Sequence, residues 1–207
     1  MITENSGKIY RFKLDHDLGF GFAEVYDFTD HSMFDGRLVY VYDKIDKINE
    51  KKYGITEIRS SKIALGPIRL YKFPASRGLH SWKFLFKTDE LLITEFPETK
   101  EFHGSKINSN DYDWSKLNTW YKSDRDPRKW LAYVDYEEIR HLETRIINSP
   151  SGVAKEFSMK VLLDTNEKVS DYYDLSDLGN KNLFTYLINT YYPLKSTRKY
   201  LRQIPKV

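Results

Sequence analysis

The chain has no cysteine in its 207 residues, which excludes disulfides, thiolate metal sites and a cysteine nucleophile. No apolar run approaches the roughly 18 residues of a membrane-spanning helix. The first residues, MITENSGK, are polar and lack the apolar segment of a secretory signal. These absences set the expected location as cytoplasmic, with no membrane partner. Catalytic signatures are missing too: there is no Gly-x-Ser-x-Gly elbow, no His-Glu-x-x-His and no phosphate-binding loop. The histidines, His16, His31, His80, His103 and His141, stand far apart. There is no internal repeat and no low-complexity linker, so one domain spanning 1–207 is expected.

Aromatic side chains are plentiful, with 16 Tyr and 12 Phe, so ring packing is expected to dominate the core. The net charge is +3, but it is unevenly spread. Residues 195–207, KSTRKYLRQIPKV, hold five Lys/Arg and no acid, which leaves the rest of the chain at −2. The body therefore lacks a basic nucleic-acid footprint, and the tail reads as a solvated end.

The N-terminal half reads as strands. They are expected at 8–14, 20–28, 37–43, 68–73, 81–86 and 90–96, from alternation and from β-branched and aromatic content. The polar stretch 46–66 reads as a short helix or a loop. Residues 130–147 are ambiguous between extended and helical structure. Ser149-Pro150 signals a helix start. A further helix is expected over 182–192, with Leu183, Tyr186, Leu187 and Tyr191 on one face and Pro193 at its end. Val39, Val41, Trp82, Phe84, Leu183 and Leu187 are expected in the core.

Several local patterns invite a functional reading. Gly19 and Gly21 do not complete a dinucleotide fingerprint, because Glu24 stands where the third glycine is needed and the chain continues as a strand. They read instead as turn and bulge glycines. Asp15-His16-Asp17 offers metal-type ligands, yet adjacent side chains in extended chain diverge, and a solvated turn is the simpler reading. Glu138 and His141 match a Glu-x-x-His spacing, but a di-iron centre needs two such motifs and two more helical glutamates. No metal, cofactor or catalytic residue is therefore assigned.

The stretch 103–130 is rich in Asn, Asp and Ser, and it also contains Tyr112, Trp114, Trp120, Tyr121 and Trp130. Tyr, Trp and Arg anchor protein interfaces, and acidic neighbours steer encounter with a basic partner. Asp111, Tyr112, Asp113, Trp114, Trp120, Tyr121 and Asp124 form the candidate partner-binding set. The alternative is that the rings fold back onto the sheet.

The opening GKIYRFKLDHDLGFGFAEVYDF (7–28) resembles the start of the bacterial immunity protein 26 family. The strand RLVYVYD (37–43) and WKFLF (82–86) resemble its later strands. YEEIRHLETRIINSPSGV (136–153) is similar to the family's C-terminal segment, with its His-Leu-Glu and Ser-Pro core. Lys13 stands where the family commonly has Pro. The resemblance implies an α+β fold: a strongly twisted antiparallel sheet or partly open barrel from the N-terminal strands, with two or three C-terminal helices. It also implies a non-enzymatic role. The protein would bind and neutralise the C-terminal domain of a cognate toxin used in contact-dependent bacterial competition. Gly19 and Gly21 match the family's hairpin glycines, and no catalytic residue carries over. A small phosphotriesterase-like hydrolase, or nucleic-acid binding through the basic tail, are the alternatives.

Overall fold

The computed structural model describes residues 2–28, 36–47, 52–78, 81–102, 120–123, 130–133, 136–140, 142–144 and 147–205. The fold is α+β. Its contacts divide it into two compact units, one comprising Met1–Phe96 with Ile146–Ser158, the other Pro97–Arg145 with Met159–Val207.

The first unit is built on an open sheet of strands β1 (Lys8–Lys13), β2 (Phe20–Asp27), β3 (Arg37–Asp46), β4 (Ile63–Leu70), β5 (Trp82–Lys87) and β10 (Ile147–Asn148). Their order is β10-β4-β3-β2-β1-β5. The five long strands are antiparallel, and the two-residue β10 adds in parallel to β4. The sheet does not close, so of the two expected arrangements the open one is found.

The β1–β2 hairpin follows from its turn chemistry. Asp15–Asp17 forms a 3-10 turn with His16 at φ 54, and Gly19 follows at φ 112, a region that favours glycine. At Gly21 the β2–β3 register shifts. A Cβ there would lie 2.8 Å from the Phe12 ring and 2.9 Å from the Phe157 ring. Both glycines are thus scaffold, one for backbone conformation and one for close approach.

The sheet is covered on both faces, which is why β2 is almost wholly buried. On one face Ile9, Phe22 and Tyr42 pack with Ile58 of the short helix α1 (Ile55–Arg59), and Tyr26, Phe28 and Leu38 pack with Phe96. On the other, Trp82 stacks on Phe12 at 4.6 Å, and Phe157 of α3 (Pro150–Asp164) meets the Phe12 ring edge-on. The Ser149 hydroxyl caps α3 by accepting from Gly152 N–H (2.9 Å), as the Ser-Pro signal predicts.

Two strand expectations need correcting. Residues 90–96 form no strand; Leu91 and Ile93 pack irregularly onto the Tyr26–Phe96 cluster, so their apolar spacing serves coverage rather than pairing. The fourth strand starts at Ile63, earlier than expected, and ends at Leu70. One core expectation also fails. Val39, Val41, Trp82 and Leu187 are buried, and Leu183 is half-buried, but Phe84 is 51% exposed. It lies on β5, an edge strand, on the same face as the Tyr10 ring it touches at 5.9 Å.

The second unit carries a four-stranded sheet of β6 (Thr99–Phe102), β7 (Trp120–Ser123), β8 (Trp130–Tyr133) and β9 (Glu143–Thr144), in the order β8-β7-β6-β9. With it are the one-turn helix α2 (Tyr136–Ile139) and helices α4 (Leu178–Tyr191) and α5 (Leu194–Tyr200). The ambiguous stretch 130–147 thus resolves into strand, helical turn and strand in succession. Helix α4 starts earlier than its apolar pattern suggests, because Asp177 caps it by accepting from Asn180 N–H (2.9 Å). Its C-terminal carbonyls would be orphaned. Thr197 donates to Ile188 C=O at 2.8 Å, Tyr136 donates to Asn189 C=O at 2.8 Å, and Arg140 donates to both Asn189 C=O and Tyr192 C=O. A cation at this end also suits the helix dipole.

No described helix is long and apolar enough to cross a membrane.

Candidate functional site

The candidate partner-binding set lies largely outside the described residues: Asp111, Tyr112, Asp113, Trp114 and Asp124 all do. Trp120 and Tyr121 belong to β7 rather than to a loop. Trp120 stands opposite Phe102, and Tyr121 opposite both Glu101 and Tyr133. Strand β7 is therefore internal to its sheet, hydrogen-bonded on both sides.

Among the described residues, no group of metal-type ligands gathers at either metal-like pattern. Asp15 N–H donates to Ser158 Oγ (2.9 Å), tying the turn to α3. Asp17 pairs with Lys13 at 3.0 Å on an exposed surface. Glu138 is exposed, and His141 lies outside the described residues. Among the described residues no group of three or more His, Asp or Glu is placed to hold a metal.

Among the described residues, a dense polar constellation is one the sequence did not single out for chemistry. It is built around Glu24, whose side chain is fully buried in the middle of β2. Strand alternation puts Phe22, Glu24 and Tyr26 on one face, with Tyr42 of β3 beside them. Tyr26 donates its phenol to Glu24 Oε1 (2.7 Å) and Tyr42 donates to Oε2 (2.5 Å). Arg59, at the end of α1, grips both oxygens, Nη2 to Oε1 at 2.5 Å and Nε to Oε2 at 3.1 Å. This is the paired fork geometry that favours Arg over Lys. Leu92 N–H donates to the Tyr26 phenol oxygen (3.3 Å), drawing the 90–96 segment into the same network.

Electrostatics fix the protonation pattern. Burial, and then the charge and hydrogen bonds of Glu24, push both phenols above their ordinary pKa and keep them neutral. Burial works against the Arg59 cation, but the hydrogen bonds and charge of Glu24 outweigh it. A carboxylate offers about four acceptor positions, and Glu24 spends them on four donors. Nothing is left to polarise a substrate or ligate a metal. The network is a clamp that fastens α1 and residue 92 to the sheet.

A second buried carboxyl behaves differently. Glu156 of α3 is also fully buried. Its Oε2 accepts only a long bond from Asn148 Nδ2 (3.4 Å), and Oε1 has no partner among the described residues. Burial drives its pKa well above the ordinary carboxylate value.

At the sheet edge, β5 exposes Lys83, Phe84 and Lys87. Lysines on an edge discourage further strand addition, and the β1–β5 register shift between Ile9 and Tyr10 works to the same end. Comparison with protein-family models, curated proteins and solved structures finds no match.

Proposed function

We propose that this chain is a bacterial immunity protein, a stoichiometric inhibitor that binds the C-terminal domain of a cognate toxin in the cytoplasm. The observation that carries the reading is the sequence resemblance of 7–28, 37–43, 82–86 and 136–153 to the immunity protein 26 family. The structure is compatible with a binding role in a specific way. The resembling segments supply framework: the β1–β2 hairpin, β3, β5, and the α2-to-α3 stretch that caps α4 and starts α3. The buried Glu24 carboxylate is consumed by Tyr26, Tyr42 and Arg59.

The direct experiment is co-expression with a candidate toxin domain encoded by a neighbouring gene, followed by co-purification and a survival assay. Co-purification in equal amounts, with survival of the toxin-expressing cells, is the expected result. Toxicity unchanged by the chain, with no complex recovered, would reject the reading.

A further inference from the structure

In the C-terminal tail, expected to be a solvated end, the charges of Lys195, Arg198, Lys199 and Arg202 are exposed, and they are carried by regular structure of the second unit. After Asp177 the remaining residues, 178–207, contain six Lys/Arg and no acid, which sets the rest of the chain at −3 against the total of +3. Helix α5 follows Pro193 at its N-cap, and its last turn continues into a 3-10 turn, Leu201–Gln203. It is pinned from beneath: Thr197 is buried with its hydroxyl on Ile188 C=O, and Ile204 is buried beyond it.

Pinning one side of a helix sorts the other. Lys195, Lys199 and Arg202 fall at i, i+4 and i+7, so they line one ridge about 10 Å long. All three are exposed, as is the flanking Arg198. Acids are present in the same unit at Asp164, Glu167, Asp171 and Asp174, all exposed. Even so, Asp164 pairs with Lys160 (2.5 Å) and accepts from Tyr192 (2.7 Å), and Lys195, Lys199 and Arg202 form no ion pair with a described residue. At the far end, Ser170 N–H donates to Gln203 Oε1 (3.3 Å), bringing the segment that carries the 39%-exposed Tyr172 to the end of the ridge. Arg202 and the exposed Tyr172 are residue types enriched at protein-binding surfaces, and the two lysines add charge that steers encounter.

We propose that this ridge docks an acidic patch on the partner toxin, a proposal that rests on the inhibitor reading above. A compact acidic patch fits a ridge of three or four charges. An extended polyanion such as nucleic acid would overrun it. The ridge charges act mainly on encounter, because fields from exposed groups reach about a Debye length, roughly 8 Å at physiological salt.

The test is association kinetics with the purified toxin domain, comparing the wild type with Lys195→Glu/Lys199→Glu/Arg202→Glu. A second triple variant of equal charge change, Lys52→Glu/Lys62→Glu/Lys72→Glu in the first unit, controls for net charge. All six positions are exposed, and thermal melts confirm folding. Association of the ridge variant is expected to slow about tenfold or more at low salt, with the deficit shrinking as salt rises and dissociation little changed. The control variant should associate at close to the wild-type rate. Equal rates for the ridge and wild-type proteins would overturn the proposal. So would loss of binding to a single-stranded DNA of roughly 20 nucleotides with toxin association unchanged, which would make the ridge a phosphate-binding face. If the wild type neither binds the toxin nor protects, the inhibitor reading itself has failed.

Discussion

Glu24 and Glu156 are both fully buried in the same unit, one beneath α1 on the sheet and one on α3, yet their surroundings are opposite. Glu24 has a guanidinium and two phenols around it; Glu156 has one long bond from an amide. Burial alone therefore does not decide what a carboxyl does. Glu24's partners bind separate elements together through it, whereas burial without strong partners drives Glu156 towards its neutral form.

The comparison breaks most visibly at Arg59. Arg59→Ala leaves Glu24 buried without its countercharge and should cost about 3–5 kcal/mol in urea unfolding. Combining it with Glu24→Gln should recover part of that loss; a double variant as unstable as the sum of its singles would mean that the two side chains are not coupled. Tyr42→Phe removes one hydrogen bond to a charged acceptor and should cost about 1.5–3 kcal/mol. A negligible change would show that water replaces the phenol and that the site is wetter than its burial suggests.

Glu156→Gln should go the other way, and the sign depends on pH. The folded pKa of Glu156 is raised above its unfolded value near 4.5. Its contribution to stability is fully present below that pH and is lost as pH rises towards the folded pKa, at up to about 1.4 kcal/mol per pH unit. The variant should match the wild type near pH 4 and become progressively the more stable protein towards neutrality. A stability difference that stays constant across that range would mean that Glu156 does not titrate as its burial requires. The smallest effect is expected from Asn148→Ala. Its bond to Glu156 is long at 3.4 Å, so the loss should stay under about 1 kcal/mol. A larger loss would show that Asn148 is the partner Glu156 depends on.

Much of the framework was legible because local rules and tertiary needs agree. Gly19 takes a positive φ at the hairpin, Ser149-Pro150 opens α3, and α4 ends before Pro193. Where they disagreed, the sequence misled. Phe84 has the alternation of a core residue, but it sits on an edge strand and stays half in water. ELLITEF has strand composition, yet it packs as irregular cover over Tyr26 and Phe28. Trp120 and Tyr121, read as part of an aromatic loop, are strand residues between two neighbours.

By itself the sequence determined the strand-rich N-terminal half, its glycine hairpin, the helical C-terminal end, and a charge asymmetry that ends in an acid-free tail. These follow from backbone preference and composition, which act over a few residues. Only the tertiary structure decided that Glu24 would be a clamp, because its countercharge Arg59 lies 35 positions away. In the same way, the pinning of Thr197 onto Ile188 made the tail's charges a ridge rather than a loose end. In both cases the deciding contact joins separate elements, and a charged side chain takes its role from what the fold places beside it.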